Sequence, residues 1–170
     1  LEQMRILDAT GADFEIIPGV SAAFAAAAVL KSELTVPEKS QTVILTRMEG
    51  RVAMPPGQQL KDLAVHGCTM VIFLSITRMT KVVRELTSGA YTNDTPVAVV
   101  YRVGWSDQLV IRGTLKDIAA KVRAAKITLQ DLIIGSDAVD SGVYAGGAVS
   151  LLYSADYSHR FRKSQPAGLL

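Results

Sequence analysis

Apolar and polar positions along this chain switch repeatedly between the helical and the extended period. Leu1 to Ala9 places Leu1, Met4, Ile6 and Leu7 on or near one face, which predicts a helix, and Gly11 suits its end. Phe14 to Ile17 is a short apolar run that predicts a strand, stopped by Pro18-Gly19. Ser21 then offers a hydroxyl N-cap to an alanine-rich helix, Ala22 to Leu30, whose small side chains suit close packing against another element. Val36-Pro37 breaks the chain before an extended run at Thr42 to Thr46, and Arg47 to Gln58, with Pro55-Pro56-Gly57, reads as loop.

The second half continues the alternation. A helix is predicted from about Gln59 to His66, the strongest strand at Thr69 to Leu74, and a further helix at Met79 to Leu86, ending near Gly89. Strands at Val97 to Val103 and Leu109 to Ile111 flank Gly104-Trp105-Ser106-Asp107, a connection short enough to require antiparallel neighbours. Gly113-Thr114 is expected to open a helix reaching Ala125, with Thr114 as its cap and Asp117 in its first turn. Leu132 to Ile134 is the strand that closes the sheet, and Gly135 to Ser150 is a Gly- and Ser-containing loop. These elements define an α/β fold whose sheet is mixed. Pro37 is the expected boundary: residues 1–37 read as the C-terminal remnant of an N-terminal domain, and residues 38–170 as a C-terminal α/β domain with a tail.

Composition narrows the classes. Of 170 residues 49% are hydrophobic and 20% charged, enough to fill a core. No apolar run approaches the roughly 18 to 20 residues of a membrane span, so no membrane role is expected. A net charge of +2 gives no reason to expect nucleic acid, and the basic cluster at His159, Arg160, Arg162 and Lys163 reads as a solvated tail. The single cysteine, Cys68, excludes an internal disulfide and fits a reducing cytoplasm, while two histidines are too few for a His-rich metal site; no metal is expected. The chain opens without Met, in the middle of a helical pattern, and is expected to be a fragment.

No nucleophile elbow, zinc-protease, P-loop or dinucleotide motif is present. Gly146-Gly147 has no phosphate-loop spacing, His66 beside Gly67 reads as a helix-end residue, and Cys68 as a small core residue. Three stretches lie where α/β folds bind ligands, beyond strand C-termini. Pro18-Gly19-Val20-Ser21-Ala22 can be a structural cap, or a tight turn whose free N–H groups hold a polar ligand atom. Leu74-Ser75-Ile76-Thr77 can be an ordinary strand exit or a ligand edge, and Thr46 to Arg51 either a solvated loop or a carboxylate-binding pair of guanidinium forks at Arg47 and Arg51.

At the same places the chain resembles the tetrapyrrole methylases, and within them the branch that methylates C-11 of precorrin-4 or its cobalt form. The resemblance is carried by Glu15 to Ala22, Ala25 to Ala28, Glu33 to Pro37, Gln41 to Arg47, Glu49-Gly50-Arg51 and Phe73-Leu74-Ser75. It continues through Asp94 to Val97, Val100-Tyr101-Arg102 with Trp105 and Asp107, Leu152-Tyr153, Ser158-His159 and Phe161-Arg162. It implies a homodimeric two-domain enzyme that binds S-adenosylmethionine between its domains and releases S-adenosylhomocysteine. Its activity would be methyl transfer to a carboxylate-rich precorrin in cobalamin biosynthesis. Ser21, Ala22, Leu74, Val103 and Ile134 fall at the family's cofactor positions; Arg47 and Arg51, to which it assigns no role, are offered as contacts to substrate carboxylates. No general acid or base is identified. The family's Gly-rich loop and Gly-Asp-Pro segment would lie before Leu1, so the chain is expected to hold half a cofactor site and to be inactive alone. The strand end Ile134-Gly135-Ser136-Asp137 departs from the family, which carries glycine one place later. The alternatives are a noncatalytic dimerisation or ligand-binding remnant, and a methylase acting at another ring position.

Overall fold

The computed structural model describes residues 1–139 together with 157, 158, 160 and 163. The Gly146-Gly147 loop, His159 and Arg162 of the basic cluster, and the matching segments at Leu152-Tyr153, His159 and Phe161-Arg162 lie outside the described residues. Helix α1 (Glu2–Ala9) is followed by α2 (Ala22–Leu30), β1 (Val43–Arg47), α3 (Leu60–Leu63), β2 (Thr69–Phe73), α4 (Met79–Thr87), β3 (Pro96–Tyr101), β4 (Leu109–Thr114), α5 (Ile118–Ala124) and β5 (Asp131–Gly135).

Among the described residues five strands form one mixed sheet in the order β1-β2-β5-β3-β4. Only β1 and β2 run parallel; β5 pairs antiparallel with both β2 and β3, and β3 with β4. The strand at the end of the α/β pattern thus occupies the middle of the sheet. Its composition requires this: Leu132, Ile133 and Ile134 are all buried, so β5 needs cover on both faces as well as neighbours along both edges.

Side-chain alternation sends the two strand faces into two cores. Met70, Ile72, Val97, Val99 and Ile133 pack with Leu60, Met79, Val82, Leu86, Ile118 and Val122 from α3, α4 and α5. Val71, Ala98, Val100, Leu132 and Ile134 face the opposite way, onto Ala23, Ala26, Ala27 and Leu30 of α2. The buried positions of α2 recur at three and four residues, a helical stripe that an all-apolar sequence conceals, since Phe24 beside them is 58% exposed. Alanines let the helix backbone approach the sheet closely.

Polar ties hold α2 in that place. Ser21 caps it, its hydroxyl accepting from Ala23 N–H at 3.3 Å. At its other end Arg112 donates to the Leu30 carbonyl at 2.7 Å. The Thr69 hydroxyl donates to the Leu34 carbonyl at 2.6 Å and lies 2.8 Å from the Ser136 hydroxyl, so β2 and the segment after β5 are tied to the chain that follows α2.

Two expected elements are corrected. Phe14 to Ile17 is not a strand: no segment among the described residues pairs with it, and Ile16 and Ile17 are exposed. A strand exists only where a neighbour takes its N–H and C=O groups. The helix expected from Gly113 begins at Ile118, because Gly113 and Thr114 instead complete β4 opposite Val97 and Pro96. Asp117 takes the cap position, and its carboxylate accepts from Thr114 N–H at 2.8 Å. A Cβ on Gly113 would lie 2.3 Å from that Asp117 oxygen, so the glycine makes room for the cap and does not open the helix.

Candidate functional site

One end of the sheet gathers the C-termini of β1, β2 and β3 and the start of β5. Arg47 is level with Phe73, Phe73 with Leu132, and Tyr101 with Asp131. Three non-glycine residues at this end adopt left-handed backbone: Leu74 (φ 53°), Arg102 (φ 46°) and Gln130 (φ 53°). Each such conformation costs on the order of 1 kcal/mol, and clustering at one sheet end is characteristic of binding sites. Arg102 N–H donates to the Gln130 carbonyl at 2.9 Å, so two of the strained residues brace each other.

Between this edge and the start of α2 lies a cleft of about 290 Å³. Ala22 lines it on one side; Phe73, Val100, Val103 and Leu132 supply apolar wall, and Arg102, Trp105, Gln130 and Asp131 the polar rim. Its size sits at the lower end of the roughly 300 to 1,000 Å³ of ligand pockets. Asp131 is only 8% exposed, and its Oδ2 is buried with no hydrogen-bond partner. Burial pushes its carboxyl above the usual carboxylate range, against the opposing pull of backbone N–H groups of Asp131 itself, Ser75 and Ile76. Arg102 Nε is likewise buried and unpartnered, while its Nη1 pairs with Asp107 at 2.5 Å and its guanidinium stacks 4.2 Å from the Trp105 ring centre.

Two of the three stretches singled out above are tied together here. Met48 N–H donates to the Ser75 hydroxyl at 2.9 Å, that hydroxyl donates to the Phe73 carbonyl at 2.6 Å, and Arg78 donates to the Glu49 carbonyl. Arg47 bends back to donate to the carbonyls of Met48 and Val52, and Arg51 is exposed in the same loop. The third stretch reaches the cleft through Ala22, with Ser21 beside it as cap. Val103 lines the cleft, and Leu74, 79% exposed, follows Phe73 at its edge. Ile134 is elsewhere: its side chain is fully buried in the core of β5, because the alternating strand brings Leu132 to the cleft and leaves Ile134 two residues deeper.

Sequence reasoning passed over Phe73, Arg102, Trp105 and Asp131 as site residues. The available signal was Asp131, an ionisable residue opening an otherwise apolar strand. Cys68 and Tyr91 make no reactive pair: the Tyr91 hydroxyl donates to the Cys68 carbonyl at 2.5 Å, and burial raises both groups above their ordinary pKa. Among the described residues no three His, Cys, Asp or Glu side chains gather as a metal site, and no helix is long and apolar enough to cross a membrane.

A strained strand edge facing a small-residue helix start defines an α/β protein with a cleft at the strand C-termini, the place where such folds hold ligands. The profile of the Tetrapyrrole (Corrin/Porphyrin) Methylases matches residues 1–119, and the chain belongs to that family. Its relatives are specific. It is 52% identical over 163 residues to cobalt-precorrin-4 C(11)-methyltransferase of Methanocaldococcus jannaschii, covering 96% of this chain and 62% of the relative. It is 44% identical over 164 residues to precorrin-4 C(11)-methyltransferase of Pseudomonas aeruginosa, covering 96% of this chain and 64% of that protein. The X-ray structure of the cobalamin biosynthetic enzyme cobalt precorrin-4 methyltransferase, CbiF, superposes with a TM-score of 0.78 at 46% identity, over 82% of this chain and 58% of that one. The chain therefore spans less than two thirds of the length of these relatives.

Proposed function

We propose that this chain forms part of an enzyme that transfers a methyl group from S-adenosylmethionine to C-11 of precorrin-4 or cobalt-precorrin-4 in corrin formation. The observation that carries the reading is the 52% identity to a C(11)-methyltransferase over nearly the whole chain. The cleft fits such a cofactor in kind. It offers apolar walls suited to a purine, from Phe73, Val100, Val103 and Leu132, beside the polar side chains of Arg102 and Gln130.

When bound, S-adenosylmethionine supplies an activated methyl group on a positively charged sulfur. This chain's residues then have a task of position more than of acid–base chemistry. Ala22 leaves room at the helix start, and Phe73, Val103 and Leu132 exclude water from one side. Orientation of this kind can supply roughly 7 to 11 kcal/mol of a barrier in favourable cases. Ser21, Leu74 and Ile134 belong to the same cofactor region in this reading, Ile134 through the strand that carries Leu132. Arg47 and Arg51 sit on the loop after β1, at the same sheet end, where guanidinium groups suit the carboxylates of a tetrapyrrole. Residues 1–37 belong to a preceding domain and 38–170 to the C-terminal one, and the working enzyme is a cytoplasmic homodimer.

The test is calorimetric binding of S-adenosylhomocysteine, followed by methyl transfer from labelled S-adenosylmethionine. The samples are this chain and a chimera that adds the part of the Methanocaldococcus jannaschii relative lying outside the match. Binding and C-11 product from the chimera support the reading. A product methylated elsewhere on the ring reassigns the position, and absence of binding by both proteins favours a noncatalytic remnant.

A further inference from the structure

Helix α2 meets the cleft at one end and is gripped at the other. Ala22 lines the cleft, and Leu30 ends the helix eight residues later, about 12 Å along the axis at 1.5 Å per residue. Three of the four buried residues of α2 are alanines, Ala23, Ala26 and Ala27. Methyl groups interlock too shallowly to fix how far along the sheet a helix lies, because neighbouring axial positions bury nearly the same area. The larger Leu30 is the exception, and it sits at the end away from the cleft.

Arg112 holds that end. Val71, Ile134, Ala98 and Arg112 stand level across β2, β5, β3 and β4, so Arg112 shares a face with the apolar row beneath α2 and lies at its edge. From there its Nη2 donates to the Leu30 carbonyl at 2.7 Å and its Nη1 to the Val139 carbonyl at 3.5 Å. A cation is electrostatically favoured at the carbonyl end of a helix. Among the described residues no other strand residue bonds to α2, and no carboxylate pairs with Arg112. Lys121 steadies the strand there, donating to the Arg112 carbonyl at 3.0 Å. Two residues along each strand on the same face, Phe73, Leu132 and Val100 form the wall of the cleft.

We infer that Arg112 is a positioning residue for the cofactor: by holding the C-terminal end of α2 it sets where Ala22, at the other end, stands against the wall of Phe73, Val100 and Leu132. This rests on the reading above that an adenosyl ligand occupies the cleft; it adds a residue outside the cleft on which the shape of the cleft depends.

The experiment titrates S-adenosylhomocysteine by calorimetry into this chain and the chimera, each as wild type, Arg112→Met, Arg112→Gln and Arg112→Lys, with circular dichroism confirming the fold. Arg112→Met keeps much of the side-chain length without a donor. It is expected to weaken binding about tenfold, the factor by which a charge-assisted hydrogen bond shifts the balance between helix positions. Arg112→Lys restores a charged donor and recovers most of the affinity. In the chimera Arg112→Met raises KM for S-adenosylmethionine; a merely structural loss would lower the active fraction, and so kcat, without moving KM. If Arg112→Met does not fold, Arg112→Gln carries the same comparison. A folded Met or Gln variant that binds as wild type does, or a loss that Arg112→Lys does not recover, overturns the proposal and leaves the adenosyl cleft standing. Failure of wild type to bind S-adenosylhomocysteine in either form overturns both.

Discussion

Replacing Asp131 by Asn should stabilise the unliganded chain, although it removes a buried hydrogen-bonding group. The wild-type carboxyl is 8% exposed, has one oxygen with no partner, and is pushed by burial toward its protonated form. An unsatisfied buried polar atom costs about 1 to 3 kcal/mol, and more when charged. Asn keeps the shape and discards the charge, so a gain of about 1 kcal/mol at pH 7 is expected, the lower end because an amide is still polar. For a domain of this size that corresponds to roughly 2 to 4 °C in Tm. The sign with pH follows from linkage. A carboxyl whose folded-state pKa lies above its unfolded value of about 3.9 holds its proton more tightly when folded. Wild-type stability from this group is therefore full below the unfolded value and is lost as pH rises through the raised folded value. The variant's advantage should be near zero in acid and complete at neutral pH. Urea unfolding followed by circular dichroism between pH 3 and 8 reads both. A variant less stable than wild type at pH 7, or a difference that does not change with pH, refutes the reasoning and makes Asp131 a structural residue.

Other consequences test the frame around the cleft. Ser21→Ala removes the cap of α2 and should cost about 0.5 to 1 kcal/mol in urea unfolding, toward the low end because the bond is 3.3 Å long. Gly89→Ala should cost about 2 kcal/mol or more, since its Cβ would lie 2.6 Å from the Ala64 carbonyl carbon and backbone cannot give way cheaply; a thermal melt checks it. In the chimera, Arg47→Ala with Arg51→Ala should raise KM for the tetrapyrrole about tenfold while leaving S-adenosylhomocysteine affinity unchanged, which steady-state kinetics and calorimetry separate.

What was legible in the sequence was local. The Ser21 cap, the alanine helix, the hairpin about Trp105 and the mixed sheet follow from side chains acting on their own or nearby backbone, through period, cap and turn chemistry. Local signals failed where the deciding partner was distant. Phe14 to Ile17 has strand composition but no pairing neighbour among the described residues, and Gly113 looked like a helix opener until Asp117 and Val97 claimed its surroundings. The order of strands was beyond the pattern too: nothing in Leu132 to Ile134 says that it lies between β2 and β3. That insertion is what brings Asp131 to the end where Phe73 and Arg102 already stand. The sequence by itself determined the elements, the class and the family resemblance, because these depend on neighbours along the chain. The cleft, the buried carboxylate and the unpartnered guanidinium nitrogen were decided only by tertiary structure, because burial and the lack of a partner depend on what the rest of the chain brings within reach.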